Sequence, residues 1–331
     1  MTIRVAINGY GRIGRCVLRS IFEYERHNDF QVVVINDTVG IKSTAHFTQY
    51  DSTHGRFNGK VDIDHNTLII NDQRIDVKSE RIPEHLPWND YDIDILLECS
   101  GHFTQKKEAM RHVHAGAKKI LISAPSPDPD ATIVYGVNHS ILRANDIVVS
   151  NASCTTNCLA PMIKPLMSTV GIENGLVNTI HAYTKDQLLL DGNHRDFYRA
   201  RAAAHSIIPT KTGAATAIGL VIPELAGKLD GFALRVPVMN VSAVDLTFTA
   251  SRDTSVEEIN HIFTQAADGH ILCVNDVPLV SCDFNHHTAS AIVDLKQTKV
   301  INRLVKVVAW YDNEWGFSNR MLDTAQHMYN C

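Results

Sequence analysis

Ile3-Arg4-Val5-Ala6-Ile7-Asn8-Gly9-Tyr10-Gly11-Arg12-Ile13-Gly14 carries an apolar strand straight into G-x-G-x-x-G, and Val17, Leu18, Ile21 and Phe22 continue it with helical spacing. Gly9 permits a tight turn, Gly11 lets the backbone approach a pyrophosphate, and Gly14 lets helix and strand pack closely. A second apolar run, Gln31-Val32-Val33-Val34-Ile35, ends at Asn36-Asp37. Asp37 lies 23 residues beyond Gly14, where an acceptor for a ribose 2′-hydroxyl belongs. A lone glycine pattern is often only a turn. With strand, helix and acid all in place, it predicts a dinucleotide-binding unit, and the carboxylate favours NAD over NADP because it repels a 2′-phosphate.

Working outward, residues 1–150 read as alternating strands and helices. Thr67–Ile70 and Ile75–Val77 form short strands about a turn at Asn71-Asp72. Ile93–Cys99 and Lys119–Ser123 are buried strands flanking a helix over roughly 104–115, and Thr132–Tyr135 and Ile147–Ser150 close the unit. Three prolines make 124–130 a loop. The pattern predicts an α/β fold, with an N-terminal doubly wound Rossmann domain over 1–150. In residues 151–316 the strands 176–181, 232–237, 241–249 and 305–311 are longer and several alternate in polarity. That predicts an α+β domain with a mostly antiparallel sheet, covered by helices near 155–170, 212–220 and 255–267. A last helix, about 317–329, is expected to pack back on the first domain. Residues 183–209 form a long charged loop, and a loop of that length in a compact domain is usually functional.

The second informative stretch is Ser153-Cys154-Thr155-Thr156-Asn157-Cys158, with Thr179-Ile180-His181-Ala182-Tyr183-Thr184 following. Cys154 is a candidate nucleophile and His181 a base to activate it. A thiol reacts as thiolate, which a helix N-terminus or a neighbouring imidazolium favours. The bland reading is a small buried hydrophobe, the usual lot of a single cysteine. No second ligand pair stands at zinc spacing from Cys154 and Cys158, so no metal is expected. His112/His114 and His286/His287 are at spacings that do not share a helix face, and read as surface histidines.

The chain has 331 residues, 44% hydrophobic and 20% charged, with a net charge of −5 and dispersed Lys and Arg. Nothing there implies a nucleic-acid partner, and no apolar run approaches the ~20 residues of a membrane span. Seven irregularly spaced cysteines, with no signal-peptide pattern ahead of the first strand, make the cytoplasm the expected compartment.

Taken together these residues resemble phosphorylating glyceraldehyde-3-phosphate dehydrogenase, from Val5 to the terminal helix. The resemblance is carried by Ala6–Arg15, Asp51-Ser52-Thr53-His54-Gly55-Arg56, Ser150–Cys158, Pro209–Ala215 and Trp310-Tyr311-Asp312-Asn313-Glu314-Trp315-Gly316. It implies a glycolytic, cytoplasmic homotetramer that uses NAD, glyceraldehyde 3-phosphate and inorganic phosphate. It also implies that Cys154 forms a hemithioacetal and then a thioester, with His181 as base. Thr184 and Arg235 map to the substrate phosphate, Arg199 between two anion subsites, and Ser153, Thr212 and Gly213 to the inorganic phosphate. Asn8, Gly9, Gly11, Arg12, Ile13, Gly14, Asp37, Arg81, Ser100, Ser123 and Asn313 map to the cofactor, Asn313 at the nicotinamide carboxamide. Read alone, Arg235 is better taken as a strand salt bridge, and only the surrounding pattern reverses that; Thr212 reads as a helix N-cap, a role that can coexist with anion binding.

Erythrose-4-phosphate dehydrogenase shares most of these motifs but typically lacks the Thr of H-A-Y-T and the T-G of T-x-T-G-A-A. This chain has both, as Thr184, Thr212 and Gly213. A catalytically silent NAD-binding protein is the rival from another class, and intact Cys154, His181 and Arg235 speak against it. Departures from the family pattern fall in the long loop, at Gly192-Asn193 and at Tyr198, where the family commonly has Arg.

Overall fold

The computed structural model describes residues 2–331, which divide into two compact units. One contains the chain up to Tyr135, His139–Ser153 and Ser318–Cys331; the other contains Gly136–Asn138 and Cys154–Phe317. The helices are α1 (Arg12–Glu23), α2 (Ile41–Gln49), α3 (Lys106–His114), α4 (Cys154–Met167), α5 (Ala214–Val221), α6 (Val256–Ala266) and α7 (Trp315–Asn330).

The first unit is built on a nine-stranded sheet in the order Ala131–Thr132, Val148–Ser150, Lys119–Ile122, Ile95–Glu98, Ile3–Asn8, Phe30–Asn36, Gln73–Lys78, Thr67–Ile70, Val61–Asp64. The first seven run parallel and the last two pair antiparallel. Ile3–Asn8 is central, and the chain leaves it in one direction before returning on its other side at Ile95–Glu98. Such a reversal of strand order opens a crevice at the carboxyl ends of the strands. The central strands are buried on both faces: Val5, Ala6, Ile7, Val34, Ile35, Leu96 and Leu97 are fully enclosed, as a parallel sheet covered by helices requires. From Ser318 onward α7 belongs to this unit. Asn319 accepts from the Ser20 hydroxyl at 2.8 Å, and Asp323 from the Arg26 guanidinium at 2.9 Å.

The second unit carries an eight-stranded sheet in the order Ile208–Lys211, Leu229–Val236, Asn174–Ala182, Ser242–Thr249, Leu304–Tyr311, Ala291–Asp294, Leu272–Asn275, with Lys299–Ile301 beside Leu304–Tyr311. Two neighbouring pairs are parallel and the rest antiparallel. Val305, Val307, Ala309 and Tyr311 point inward and alternate with more exposed residues. α4 packs against α5, α6 and this sheet.

The glycine turn takes the form the motif demands. Gly9 has φ +90°, and a Cβ there would meet Ser100 Cα at 2.4 Å; one on Gly14 would meet the Gly9 carbonyl at 2.3 Å. The structure also differs from the reading of the sequence in places. Only Ala131–Thr132 is strand where Thr132–Tyr135 was expected. α2 was not anticipated, because Ile41-Lys-Ser-Thr-Ala-His-Phe-Thr-Gln49 combines two threonines with a weak apolar stripe. His112 is wholly buried rather than on the surface, its Nδ1 accepting from Trp88 Nε1 at 3.1 Å. His286 and His287 are half-buried, and His286 stacks on Trp315.

Candidate active site

In the first unit, α1 starts at the glycine turn with no side-chain cap, so its first turn presents N–H groups and the positive end of the helix dipole. Gly11 faces open space: a Cβ there would have nothing within 4 Å. Asp37 directly follows the second strand, Phe30–Asn36, beside this turn, accepting from the Tyr10 N–H at 2.6 Å and the Val39 N–H at 3.0 Å. Those bonds hold the carboxylate at the glycine turn. An open glycine, an uncapped helix start and an acid at the end of the adjacent strand fit the pyrophosphate and ribose of NAD.

The remaining cofactor candidates divide by what their side chains do. Asn8 is buried and engaged, donating to Glu98 Oε2 at 2.5 Å and accepting from Asn36 at 2.7 Å. Glu98 Oε1 accepts from the Ser100 N–H at 2.8 Å and from its hydroxyl, which fixes the backbone that Gly9 packs against. Ser123 continues the next strand, its N–H donating to the Glu98 carbonyl at 3.0 Å. Arg12 forks onto Asp51. Burial would push the Asp51 carboxyl up, but Arg12 and the N–H groups of His54 and Thr53 outweigh it and hold the acid below its usual range. Ile13 lies in the first turn of α1, and Arg81 is exposed. Sequence reasoning missed Glu98 as the organiser of Asn8 and Ser100, since a strand-end acid looks like any other.

In the second unit, α4 begins at Cys154, which places the half-buried thiol at the helix start. Cys154 Sγ lies 3.4 Å from His181 Nε2. The parallel pairing of Asn174–Ala182 with Leu229–Val236 sets His181 opposite Arg235, and Arg235 Nη1 reaches His181 Nδ1 at 2.6 Å and the Ala182 carbonyl at 2.9 Å. Tyr311 closes the floor. Its hydroxyl lies 2.9 Å from both Thr155 Oγ1 and Thr179 Oγ1, and its ring stands edge-on to His181.

These surroundings act on the charge of both partners. Burial pushes the Cys154 thiol up, and Arg235 and the Thr155 hydroxyl and N–H pull against it without overcoming it. Burial, then Arg235, push His181 down to about 3. Burial thus works against the charged form of both members of the pair, while the start of α4 and Arg235 favour a negative charge on the sulfur. Cys158, one turn on, is fully enclosed, and burial lifts its thiol well above the ordinary value.

Of the candidate anion-binding residues, Thr184, Arg199, Thr212, Gly213 and Arg235 lie in the same unit, whereas Ser153 belongs to the first. Arg199 donates to Thr210 Oγ1 at 2.7 Å and to Asp186 at 2.5 Å. Thr210 sits on the strand Ile208–Lys211, which pairs with the one bearing Arg235. Thr184 is held by Gln187 Oε1, to which its N–H donates at 2.9 Å. Thr212 and Gly213 precede α5. The Thr212 hydroxyl accepts from the Ala214 N–H at 3.2 Å, and Gly213 has nothing within 4 Å of a would-be Cβ. Ser153 directly precedes the nucleophile in the chain. Asn313 accepts from the Ser242 hydroxyl at 2.8 Å, and that hydroxyl accepts from the Ala182 N–H at 3.0 Å. The Asn313 carboxamide is thereby anchored through its Oδ1. Thr210, Asp186, Gln187, Ser242 and Tyr311 were not singled out from sequence; their parts depend on strand register and loop closure, which no local motif encodes.

Two family descriptions match the chain. "Glyceraldehyde 3-phosphate dehydrogenase, NAD binding domain" covers residues 3–106 and "Glyceraldehyde 3-phosphate dehydrogenase, C-terminal domain" covers 153–313. The chain is 58% identical over 329 residues to the chromosomal glyceraldehyde-3-phosphate dehydrogenase of Cupriavidus necator, covering 98% of each chain. It is 58% identical over 326 residues to that of Pseudomonas aeruginosa, again 98% of each. Against the Geobacillus stearothermophilus enzyme it is 48% identical over 334 residues, covering 99% of this chain and 98% of the relative.

Proposed function

Because the chain belongs to the glyceraldehyde-3-phosphate dehydrogenase family, and is therefore an NAD-dependent oxidoreductase, we propose that Cys154 and His181 carry its chemistry and that Arg235 selects its substrate. The observation that supports this reading is the contact between Cys154 Sγ and His181 Nε2, with Arg235 beside them.

Cys154 adds to the aldehyde carbon while its proton passes to His181 Nε2, giving a hemithioacetal. The donors around the sulfur, including the N–H groups at the start of α4, stabilise charge as it develops. NAD, when bound, supplies the acceptor for the hydride leaving that carbon. A free aldehyde is a poor hydride donor, whereas the alkoxide-like adduct is a good one, and the thioester left on Cys154 conserves the energy of oxidation. Inorganic phosphate then attacks the thioester carbonyl and displaces the thiolate, releasing an acyl phosphate. We read Thr184, Arg235 and Arg199 as holding the phosphate of the aldehyde, and Ser153, Thr212 and Gly213 as holding the attacking one. We read Gly9, Gly11, Ile13, Gly14 and Asp37 as the pyrophosphate and ribose cradle, with Asn8, Arg12, Ser100 and Ser123 shaping it, Arg81 at its exposed side, and Asn313 as the ligand of the nicotinamide carboxamide.

Arg235→Leu is expected to raise KM for glyceraldehyde 3-phosphate and lower kcat while barely changing the Kd of NAD by titration calorimetry. The wild type should prefer the triose phosphate over erythrose 4-phosphate by a wide margin in kcat/KM, because a misplacement of the reacting carbon by about 1 Å costs ~10²-fold. A faster rate with erythrose 4-phosphate would make the substrate assignment wrong. For the cofactor, Asp37→Ala should weaken NAD and narrow the gap to NADP in paired KM measurements; a wild type indifferent between the two would remove the role given to Asp37.

We further propose a homotetramer in the cytoplasm. Leu189, Leu190, Phe197, Tyr198 and Ile207 are all exposed on the loop between Ala182 and Ile208, a cluster that fits an interface between copies. All seven cysteines are free, as a reducing compartment permits, and among the described residues no helix is long and apolar enough to cross a membrane. Sedimentation of the purified protein tests the assembly; a monomer would refute it.

A further inference from the structure

Val241 stands in the left-handed region, with φ +66°. A β-branched side chain seldom adopts that conformation, and such strain persists only where the surroundings over-determine it. Here they do. The Val241 side chain is buried in a cluster with Phe284, Ala289 and Ile292, and its two neighbours in the chain each hold one residue of the pair Asp312-Asn313. Asn240 Nδ2 donates to Asp312 Oδ2 at 2.8 Å, and the Ser242 hydroxyl donates to Asn313 Oδ1 at 2.8 Å. The other oxygen of Asp312 accepts from the N–H groups of Glu314 and Trp315, at 2.9 and 2.7 Å. The backbone that carries Asn313 is thus fixed on both sides.

The Ser242 hydroxyl has little choice of partner. Ser242 is 1% exposed, and its oxygen accepts from the Ala182 N–H at 3.0 Å. Its one proton then needs an acceptor, which Asn313 Oδ1 supplies. With the Asn313 amide turned over, two N–H donors would face a single hydroxyl oxygen, and the hydroxyl proton would be buried unbonded, a costly arrangement. The bond therefore decides how the amide is presented. Its oxygen lies on Ser242, and its NH2 group is the end left to a ligand.

We propose that Ser242 is a positioning residue for the cofactor, orienting Asn313 so that it meets the nicotinamide carboxamide as a hydrogen-bond donor. The carboxamide answers with its oxygen, which settles how that group turns. Without the hydroxyl, the Asn313 amide is free to present either end, and a ligand is held only as well as the groups behind it hold it. The proposal rests on the reading of Asn313 as the ligand of that carboxamide, and extends it by naming the residue that sets its polarity.

Binding calorimetry with three ligands tests it: NAD, its 3-acetylpyridine analogue, which keeps the carbonyl oxygen but has no NH2 group, and ADP-ribose, which has no nicotinamide. Asn313→Ala should weaken NAD and the analogue alike, by ~10-fold, the worth of one hydrogen bond, and leave ADP-ribose unchanged. Ser242→Ala should show the same pattern, and the double variant should lose no more than Asn313→Ala does alone. Ser242→Cys fills the same space with a weak donor, and should repeat the pattern if the alanine variant fails to fold. A Ser242 variant that loses NAD but not the analogue would mean that Asn313 presents its oxygen. One that loses ADP-ribose as well would mean that Ser242 only supports the fold. Either result overturns the proposal, as does an additive loss in the double variant, or a Ser242→Ala protein that binds all three ligands as the wild type does. In each of those cases Asn313→Ala still weakens NAD. If Asn313→Ala leaves the Kd of NAD unchanged, the reading of Asn313 itself fails, and the role of Ser242 with it.

Discussion

Cys154→Ser is expected to lower turnover by ~10⁴-fold or more, the scale of losing a catalytic nucleophile, with fold and NAD binding unchanged. The serine hydroxyl keeps the geometry but ionises far less readily, and a neutral oxygen beside a neutral imidazole adds poorly to an aldehyde. The loss should fall on kcat, since the sulfur makes no claim on the cofactor cradle. Cys158→Ser is the control: that residue is enclosed in α4 with its thiol pushed well up by burial, so the variant should retain substantial activity. Iodoacetamide labelling followed by peptide mapping separates the two cysteines. Inactivation that tracks modification of Cys158 instead of Cys154 would overturn the assignment.

His181→Asn is expected to slow turnover by ~10²–10⁴-fold, the usual worth of a positioned base. The structure adds a pH dependence to this. Burial and Arg235 push His181 down to about 3, so in free enzyme the ring stays uncharged as pH falls through the ordinary histidine range. Protonation of this residue therefore cannot produce an acid limb near pH 6.5 in kcat/KM, which reports ionisations of the free enzyme. A wild-type profile whose acid limb sits near 6.5 and disappears in His181→Asn would show that the imidazole titrates normally and that the cavity does not act on it as described.

Much of this was legible in the sequence because the governing physics is local. Strand, glycine turn, helix and Asp37 form one continuous segment, and each glycine has its own steric reason: Gly9 against Ser100, Gly14 against the Gly9 carbonyl, Gly11 against nothing. The alternation in 305–311 marked a sheet with one enclosed face. Cys154 at a helix start could be read from its neighbours. What escaped depends on distant segments. No local pattern told that Arg235 would lie in register with His181, or that burial would work against the charged form of both Cys154 and His181. His112 looked like a surface residue because its partners, Trp88 and Glu98, come from other elements. α2 was missed because its stability comes from packing rather than from propensity.

The most direct test of the account mixes enzyme, NAD and glyceraldehyde 3-phosphate without inorganic phosphate and follows NADH in a stopped-flow instrument. Oxidation that ends as a thioester on Cys154 predicts a rapid burst approaching one NADH per chain, then a stall that added phosphate releases into steady turnover, with no burst in Cys154→Ser. Full-rate turnover without phosphate, or an undiminished burst in Cys154→Ser, would contradict it.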